Sequence, residues 1–375
     1  IIADTVLSGH AYDVLFFDFK AAFDKAPHRL VIQLLVAVGI SVTPLRWFAS
    51  FLTDRTQQVR VGDSLSAVAP VISGIMQGSC LGPGLYTVLA DTLLKQVTIP
   101  ALAFADDFKF VADIVKYSGE EIQSNADLVT QWSNGNSMPL SLDKCGVLHC
   151  RNQQAPNDYV INGTPLISVT SFKDLGIIRS SSDVRYEGQC EAVYKKVSQE
   201  AGAIRRCFRL KSPELLWPAF ESYILPKLMY GAPAWNPILR KDINSIEKIQ
   251  KRLNKNMRSM HNDDDKGLSY AERLNKLDTL SLERRRQYAD MVFVYKALHG
   301  LVDCSAVSLG LEQKTSCTAG DGIKLNQCRA TTRASSHFFA IRAPSAWNKL
   351  SLDITGCKSF LKFKRLLKKH LSAQQ

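Results

Sequence analysis

Leu102-Ala103-Phe104-Ala105-Asp106-Asp107-Phe108-Lys109-Phe110-Val111-Ala112 contains two short apolar runs that meet at adjacent acids. Short runs rich in Phe, Val and Leu around a polar break read as strands, so the stretch predicts a hairpin with its acids at the tip. Taken alone, an Asp-Asp pair is more often simply a polar β-turn. Upstream, Val14-Leu15-Phe16-Phe17-Asp18-Phe19 is a second apolar run broken only by Asp18, which predicts a strand carrying a carboxylate. An unpartnered buried carboxylate is costly and neighbouring acids repel, so this placement favours cations at Asp18, Asp106 and Asp107. Oxygen donors select hard divalent ions, Mg2+ before others, with Mn2+ able to stand in. Two such ions about 3.5 to 4 Å apart can activate a hydroxyl and stabilise a leaving pyrophosphate, which is phosphoryl transfer.

Outward from these runs, residues 29–39 and 44–52 carry helical apolar spacing and are separated by Gly39 and Pro44. Residues 57–61 and 67–72 predict a hairpin across Gly62 and Asp63, and 81–97 a helix entered through Ser79, Gly82 and Pro83. Residues 122–133 read as helix, 145–149 and 169–178 as strands. Strands interleaved with helices predict an α+β domain ending near residue 178. Beyond it the pattern is helical over 190–209, 213–228 and 243–260. In the last of these, Ile243, Ile246, Ile249, Leu253, Met257 and Met260 form one face, with Lys248, Lys251, Arg252, Lys255 and Arg258 on the rest. Residues 312–336, rich in Ser, Thr, Gly and Lys, predict a mobile loop, and 360–371 a closing basic amphipathic helix. Trp217, Trp235 and Trp347 are expected in the core, as an aromatic in a helical region usually is, rather than stacked on bases.

At 375 residues, with 46% hydrophobic and 22% charged residues, the chain is expected to fold as two or three domains. No apolar run is long enough to cross a membrane, and the first nine residues have neither the basic start nor the apolar stretch of a signal peptide, nor a Met. A start within a longer gene is the expectation. The nine Cys residues show no C-x-x-C pair, so reduced thiols are expected, and Cys145 and Cys150 around His149 read as core residues rather than metal ligands. The net charge of +12 is uneven: residues 1–178 hold 12 Lys and Arg against 16 Asp and Glu, and 179–375 hold 35 against 19. An acidic first part suited to cations and a basic second part suited to a polyanion point to nucleic acid, although Lys and Arg that merely solvate helices give the same totals.

The motifs also carry a resemblance. Residues 14–24 are similar to the first catalytic motif of non-LTR (LINE-type) retrotransposon reverse transcriptases. Gly74-Ile75-Met76-Gln77-Gly78-Ser79-Cys80-Leu81-Gly82-Pro83 resembles the second, with Met76 where Pro is usual. Phe104 to Asp107 match the catalytic hairpin, and 138–149, with Leu140, Leu142 and Lys144, the next motif, with Ser141 in place of Asn. Asp174-Leu175-Gly176-Ile177 resembles the turn that grips the primer. Five motifs in order are far more specific than any one. Glu283-Arg284-Arg285-Arg286, Tyr295-Lys296, 338–348 and Phe363-Lys364 resemble the C-terminal region of jockey-like and chicken-repeat-like elements, without assignable chemistry.

The resemblance implies a right-hand polymerase palm over 1–178, a basic helical thumb over 179–260 and a C-terminal retroelement region over 261–375. It implies an RNA-directed DNA polymerase that extends a DNA primer on an RNA template with dNTPs and two Mg2+ ions. Asp18 and Asp106 would bind both ions, Asp107 would be a third acid, and the Phe19 carbonyl a further ligand. Phe23 would be the steric gate against a 2′-hydroxyl, though alone it reads as core. Gln77 and Gly78 would lie against the template and incoming base, and Lys144, as readily a surface lysine, would protonate or screen the leaving pyrophosphate. Leu175 and Gly176 would grip the primer, and Lys248, Lys251, Arg252 and Lys255 the duplex through its phosphates. Only seventeen residues precede Asp18, so absence of the fingers and endonuclease is expected, and with it the alternative of a catalytically impaired nucleic-acid-binding remnant. Priming at a chromosomal nick implies a nuclear location. The sequence leaves the oligomeric state open.

Overall fold

The computed structural model describes residues 10–151, 157–181, 186–257, 267–314, 323–327 and 338–375. They form two compact units, His10–Thr170 and Ser171–Gln375.

The first unit is built on β1 (Tyr12–Phe17), every residue of which is buried. A strand covered on both faces needs the continuous apolar run seen here rather than alternation. After it come α1 (Ala22–Lys25), α2 (His28–Ala37), α3 (Val42–Leu52) and the short strands β2 (Arg55–Gln57), β3 (Arg60–Val61), β4 (Ser64–Leu65) and β5 (Ala69–Val71). The expected hairpin across Gly62 and Asp63 is present but in two pieces: β3 pairs β4 around the turn, and β2 pairs β5 further out. Next are α4 (Gly82–Leu94), β6 (Ala101–Phe104), β7 (Asp107–Asp113) and α5 (Gly119–Gly135), the last started by a Ser118–Glu121 capping box. The remaining strands are β8 (Gly146–Cys150), β9 (Val160–Ile161), β10 (Thr164–Pro165) and β11 (Ile167–Ser168).

The main sheet has the order β11-β8-β1-β7-β6, antiparallel except for the β11–β8 pair. Leu15, Phe17 and Phe110 from its centre share one core with Leu85 and Leu89 of α4, Val129 of α5 and Val31 of α2. Asp13, at 0% exposure in mid-strand, is satisfied by His149 Nδ1 at 2.8 Å and by the Tyr159 hydroxyl, which donates at 2.7 Å. Cys145 and Cys150 are both buried, and the imidazole of His149 between them serves Asp13.

The second unit opens with a hairpin, β12 (Ser171–Asp174) and β13 (Ile177–Ser180), where residues 169–178 read as strand. Leu175 at φ 45° and Gly176 at φ 82° turn the chain between them. Then follow α6 (Glu187–Cys207), α7 (Pro213–Ala219), a π-helical turn (Phe220–Ile224), α8 (Leu225–Met229), α9 (Arg240–Lys255), α10 (Tyr270–Lys276), α11 (Leu282–Leu298), α12 (Phe339–Trp347), α13 (Leu352–Thr355) and α14 (Phe360–Ser372). The single helix expected over 213–228 is interrupted because Pro226 has no N–H to donate and crowds the carbonyl four residues earlier, which a wider turn relieves.

Two apolar cores fill this unit. One joins α6 and α7 to α9 through Val197, Trp217, Ile249 and Leu253. The other gathers Met291, Val294, Trp347, Phe363 and Leu367. All three tryptophans are buried, as expected. Of the expected mobile loop, residues 312–314 and 323–327 are described and are held: Gln313 bridges Leu325, and the Trp347 indole N–H donates to the Ile323 carbonyl at 2.9 Å. Its other residues, like Arg258 and Met260 of the expected thumb helix, lie outside the described residues.

Several side chains of the C-terminal motifs are engaged within this unit. Arg286 lies over the Trp235 ring at 4.1 Å and donates to the carbonyls of Trp235 at 3.1 Å and Leu228 at 2.7 Å. Burial lowers its pKa to about 10, so it remains charged at neutral pH. Arg342 pairs with both carboxylate oxygens of Asp290 at 2.9 Å and donates to the Pro233 carbonyl at 2.8 Å. Tyr295 stacks on Phe363 at 4.3 Å and donates to the carbonyls of Cys357 and Lys358.

Candidate active site

The register of β1 on β7 runs from Tyr12 opposite Asp113 to Phe17 opposite Phe108. One further step sets Asp18 level with Asp107. Asp18 thus lies just past the strand rather than on it, at its C-terminal end, where a side chain leaves the core and can reach solvent. Phe104 pairs Asp107 across a two-residue turn, Ala105 and Asp106, with Ala105 at φ 51°. Left-handed backbone at an alanine costs about 1 kcal/mol, and the turn accepts that cost with Asp106 half-buried.

The segment carrying Lys144 clamps Asp18 from the other side. The Asp18 N–H donates to Cys145 Sγ at 3.4 Å, the Ser141 N–H donates to the Asp18 carbonyl at 2.7 Å, and the Lys20 N–H donates to the Pro139 carbonyl at 2.8 Å. These bonds flank a bridge between Phe19 and Leu140 and leave the Phe19 carbonyl outside that ladder. Lys144 Nζ is 3.5 Å from Asp18 Oδ2, with the two side chains 65% and 28% exposed. An exposed pair of this kind contributes at most about 1 kcal/mol and yields readily to a stronger ligand.

Tyr86, which the sequence reading passed over, ties the two main acids together. It lies on the buried face of α4 at 3% exposure. Burial first, then the carboxylates of Asp106 and Asp18, hold its phenol above the usual tyrosine range. Its ring stacks on Phe23 at 4.6 Å and 21°. The proposed gate therefore rests on a residue whose electrostatic neighbours are the acids. Only the apolar spacing of α4 hinted at Tyr86, and that spacing reads equally as core.

Gln77 Nε2 donates to Asp24 Oδ1 at 2.9 Å, which fixes the second motif to the helix after Asp18. Gly78, at φ 81°, has open space where a side chain would sit, so its left-handed backbone is what requires glycine within the chain.

The first unit thus brings Asp18, Asp106, Phe19, Phe23, Gln77 and Lys144 into one connected region. Among the described residues, no three His, Cys, Asp or Glu side chains gather into a cluster that could hold a metal ion. Two carboxylates and a free-standing backbone carbonyl are nevertheless the hard oxygen donors that Mg2+ takes, and in that respect the residues fit.

The remaining predicted residues belong to the second unit. Leu175 and Gly176 form the β12–β13 turn, where the Tyr230 hydroxyl donates to the Leu175 carbonyl at 2.9 Å. Lys248, Lys251, Arg252 and Lys255 are all exposed on α9, with Lys251 over the Tyr270 ring at 4.9 Å. The opposite face is more polar than expected: Glu247 is buried and accepts from the N–H groups of Leu282 and Glu283 at the start of α11.

Residues 6–186 match the family described as "Reverse transcriptase (RNA-dependent DNA polymerase)". Nearly half of the chain is thus similar to a reverse-transcriptase domain. Beyond it, the similarity is distant and is to polymerases of non-LTR retrotransposons. The RNA-directed DNA polymerase of mobile element jockey from Drosophila melanogaster is 24% identical over 264 residues, 63% of this chain and 27% of that protein. The Pol polyprotein of type-1 retrotransposable element R2 from Popillia japonica is 22% identical over 247 residues, 60% and 39% respectively. The chain therefore spans well under half the length of these relatives. Among solved structures, telomerase from Candida tropicalis, in complex with a fragment of telomeric RNA, aligns with a TM-score of 0.38 at 11% identity, covering 77% of this chain and 50% of that one.

Proposed function

We propose that this reverse transcriptase extends a DNA primer on an RNA template with dNTPs, as the polymerase of a non-LTR retroelement, with the chain divided into palm, thumb and C-terminal region at residues 178 and 260. The observation that carries this is the strand register that brings Asp18, at the end of β1, level with the β6–β7 turn that holds Asp106. Asp18 and Asp106, with Asp107 and the Phe19 carbonyl, would hold Mg2+ or Mn2+, which supplies the positive charge that offsets the reacting phosphates. Lys144, 3.5 Å from Asp18, is placed to exchange that carboxylate for a departing pyrophosphate and screen or protonate it. Phe23, stiffened by its stack on Tyr86, limits room beneath the sugar and so favours dNTPs. Lys248, Lys251, Arg252 and Lys255 contact phosphates without reading sequence, as a polymerase needs. Priming at a chromosomal nick would place the work in the nucleus.

The test is primer extension on an RNA template with Mg2+ and dNTPs, comparing the chain with an Asp106→Ala, Asp107→Ala variant. Extension that disappears in the variant supports the proposal. If neither extends while both bind duplex with steep salt dependence, the chain is a binding remnant and the catalytic reading fails.

A further inference from the structure

The second motif is clasped to α1 through its backbone. The Ile75 N–H donates to the Phe23 carbonyl at 2.7 Å, the Gly74 N–H to the Ala26 carbonyl at 2.8 Å, and the Ser73 hydroxyl to the Asp24 carbonyl at 2.9 Å. Gly74 and Ile75 are buried, so their bonds are shielded from competing water. Beyond this clasp two exposed side chains meet: Gln77 Nε2 donates to Asp24 Oδ1 at 2.9 Å.

The chemistry of that bond decides which way the amide points. A carboxylate oxygen only accepts hydrogen bonds, so Gln77 turns its NH2 group to Asp24 and its carbonyl oxygen away from it. The last torsion of a glutamine is broad and roughly two-fold, so an exposed amide without such a partner presents either end. Asp24 removes that choice. With Nε2 engaged, the outward Oε1 accepts from a hydroxyl or an amino group and is repelled by phosphate oxygens and base carbonyls, which are acceptors themselves.

Asp24 is the neighbour of Phe23 on the single turn of α1, and Phe23 stacks on Tyr86 at 4.6 Å. One turn of chain, six residues past Asp18, thus carries both the proposed gate and the carboxylate that orients Gln77. We propose that Asp24 is a positioning residue: it locks the Gln77 amide with its oxygen toward the bound nucleotide, where it accepts from a hydroxyl or amino group. This role rests on the polymerase reading of the domain and adds to it a residue that acts on the nucleotide only through Gln77.

The experiment measures the Kd for dNTP, by competition with a fluorescent dNTP, on the full chain bound to an RNA template and a DNA primer ending in a 3′-dideoxynucleotide, in Mg2+. The blocked primer keeps chemistry out of the readout. Asp24→Leu frees the amide and is expected to weaken binding about three- to tenfold, the range of one lost hydrogen bond. Gln77→Met is expected to weaken it by a similar factor, and Asp24→Leu added to Gln77→Met to cost nothing more. Gln77→Glu sets two carboxylates together and should also bind poorly. Combined with Asp24→Asn, which supplies an N–H behind it and leaves a carboxylate oxygen facing out, it should recover most of the lost affinity. On a 3′-hydroxyl primer, Asp24→Leu should raise KM for dNTP and leave kcat unchanged, a split that a disordered site would not give. Equal affinity in Asp24→Leu and the unaltered chain overturns the proposal, as do losses that add in the double variant or a swapped pair that binds no better than Gln77→Glu alone. A chain that binds no dNTP overturns it too. A chain that shows the expected binding pattern but extends no primer refutes the polymerase activity alone, and one that extends with no effect of Asp24→Leu refutes only the role of Asp24.

Discussion

Replacing Gly74 by Ala adds one methyl group at the place where the second motif meets the helix after Asp18. The new Cβ would lie 2.8 Å from the Asp24 carbonyl oxygen, 2.9 Å from its Cα and 3.0 Å from its carbonyl carbon, all backbone atoms. Gly74 cannot slide away, because its N–H donates to the Ala26 carbonyl at 2.8 Å and its own carbonyl accepts from His28 and Arg55. Its φ of 98° adds a conformational cost of about 1–2 kcal/mol for any L side chain. Overpacking against fixed backbone adds about 1–3 kcal/mol. Gly78→Ala provides the control, since at φ 81° it incurs the conformational cost but meets nothing within 4 Å. At about 2–4 °C per kcal/mol for a domain of this size, thermal unfolding of the full chain should show Gly74→Ala melting several degrees below Gly78→Ala. Equal melting temperatures would refute the argument, because they would mean that the Asp24 backbone gives way at no cost.

Two further outcomes are expected. Asp290→Ala removes the bidentate carboxylate partner of the largely buried Arg342 side chain and should cost about 3–5 kcal/mol in denaturant unfolding, while a loss below 1 kcal/mol would show that water reaches the site. If Phe23 is held in place by its stack on Tyr86, Tyr86→Leu should raise incorporation of ATP relative to dATP in primer extension and Tyr86→Phe should not; an unchanged ratio in both would show that the gate stands without its support.

What the sequence determined by itself was local. The run at 102–112 forms a hairpin with Asp106 in its turn because strand period and turn chemistry are both written within a dozen residues. The ordered motifs pointed to the polymerase family because each is a contiguous string. The helices over 190–209, 213–228, 243–260 and 360–371 followed from apolar spacing in the same way, with a boundary moved where a proline withheld an N–H, as at Pro226, whereas α10 to α13 had no such signal read from the sequence. Partner choice across the chain was not legible. That Lys144 sits on Asp18, that Tyr86 rather than another core-facing residue of α4 lies under Phe23, and that Arg342 answers Asp290 depend on sheet register and helix packing. A core tyrosine beside the candidate site and one remote from it have the same spacing in sequence. Only the tertiary structure, by bringing the end of β1 level with the β6–β7 turn, decides which one has two carboxylates as neighbours.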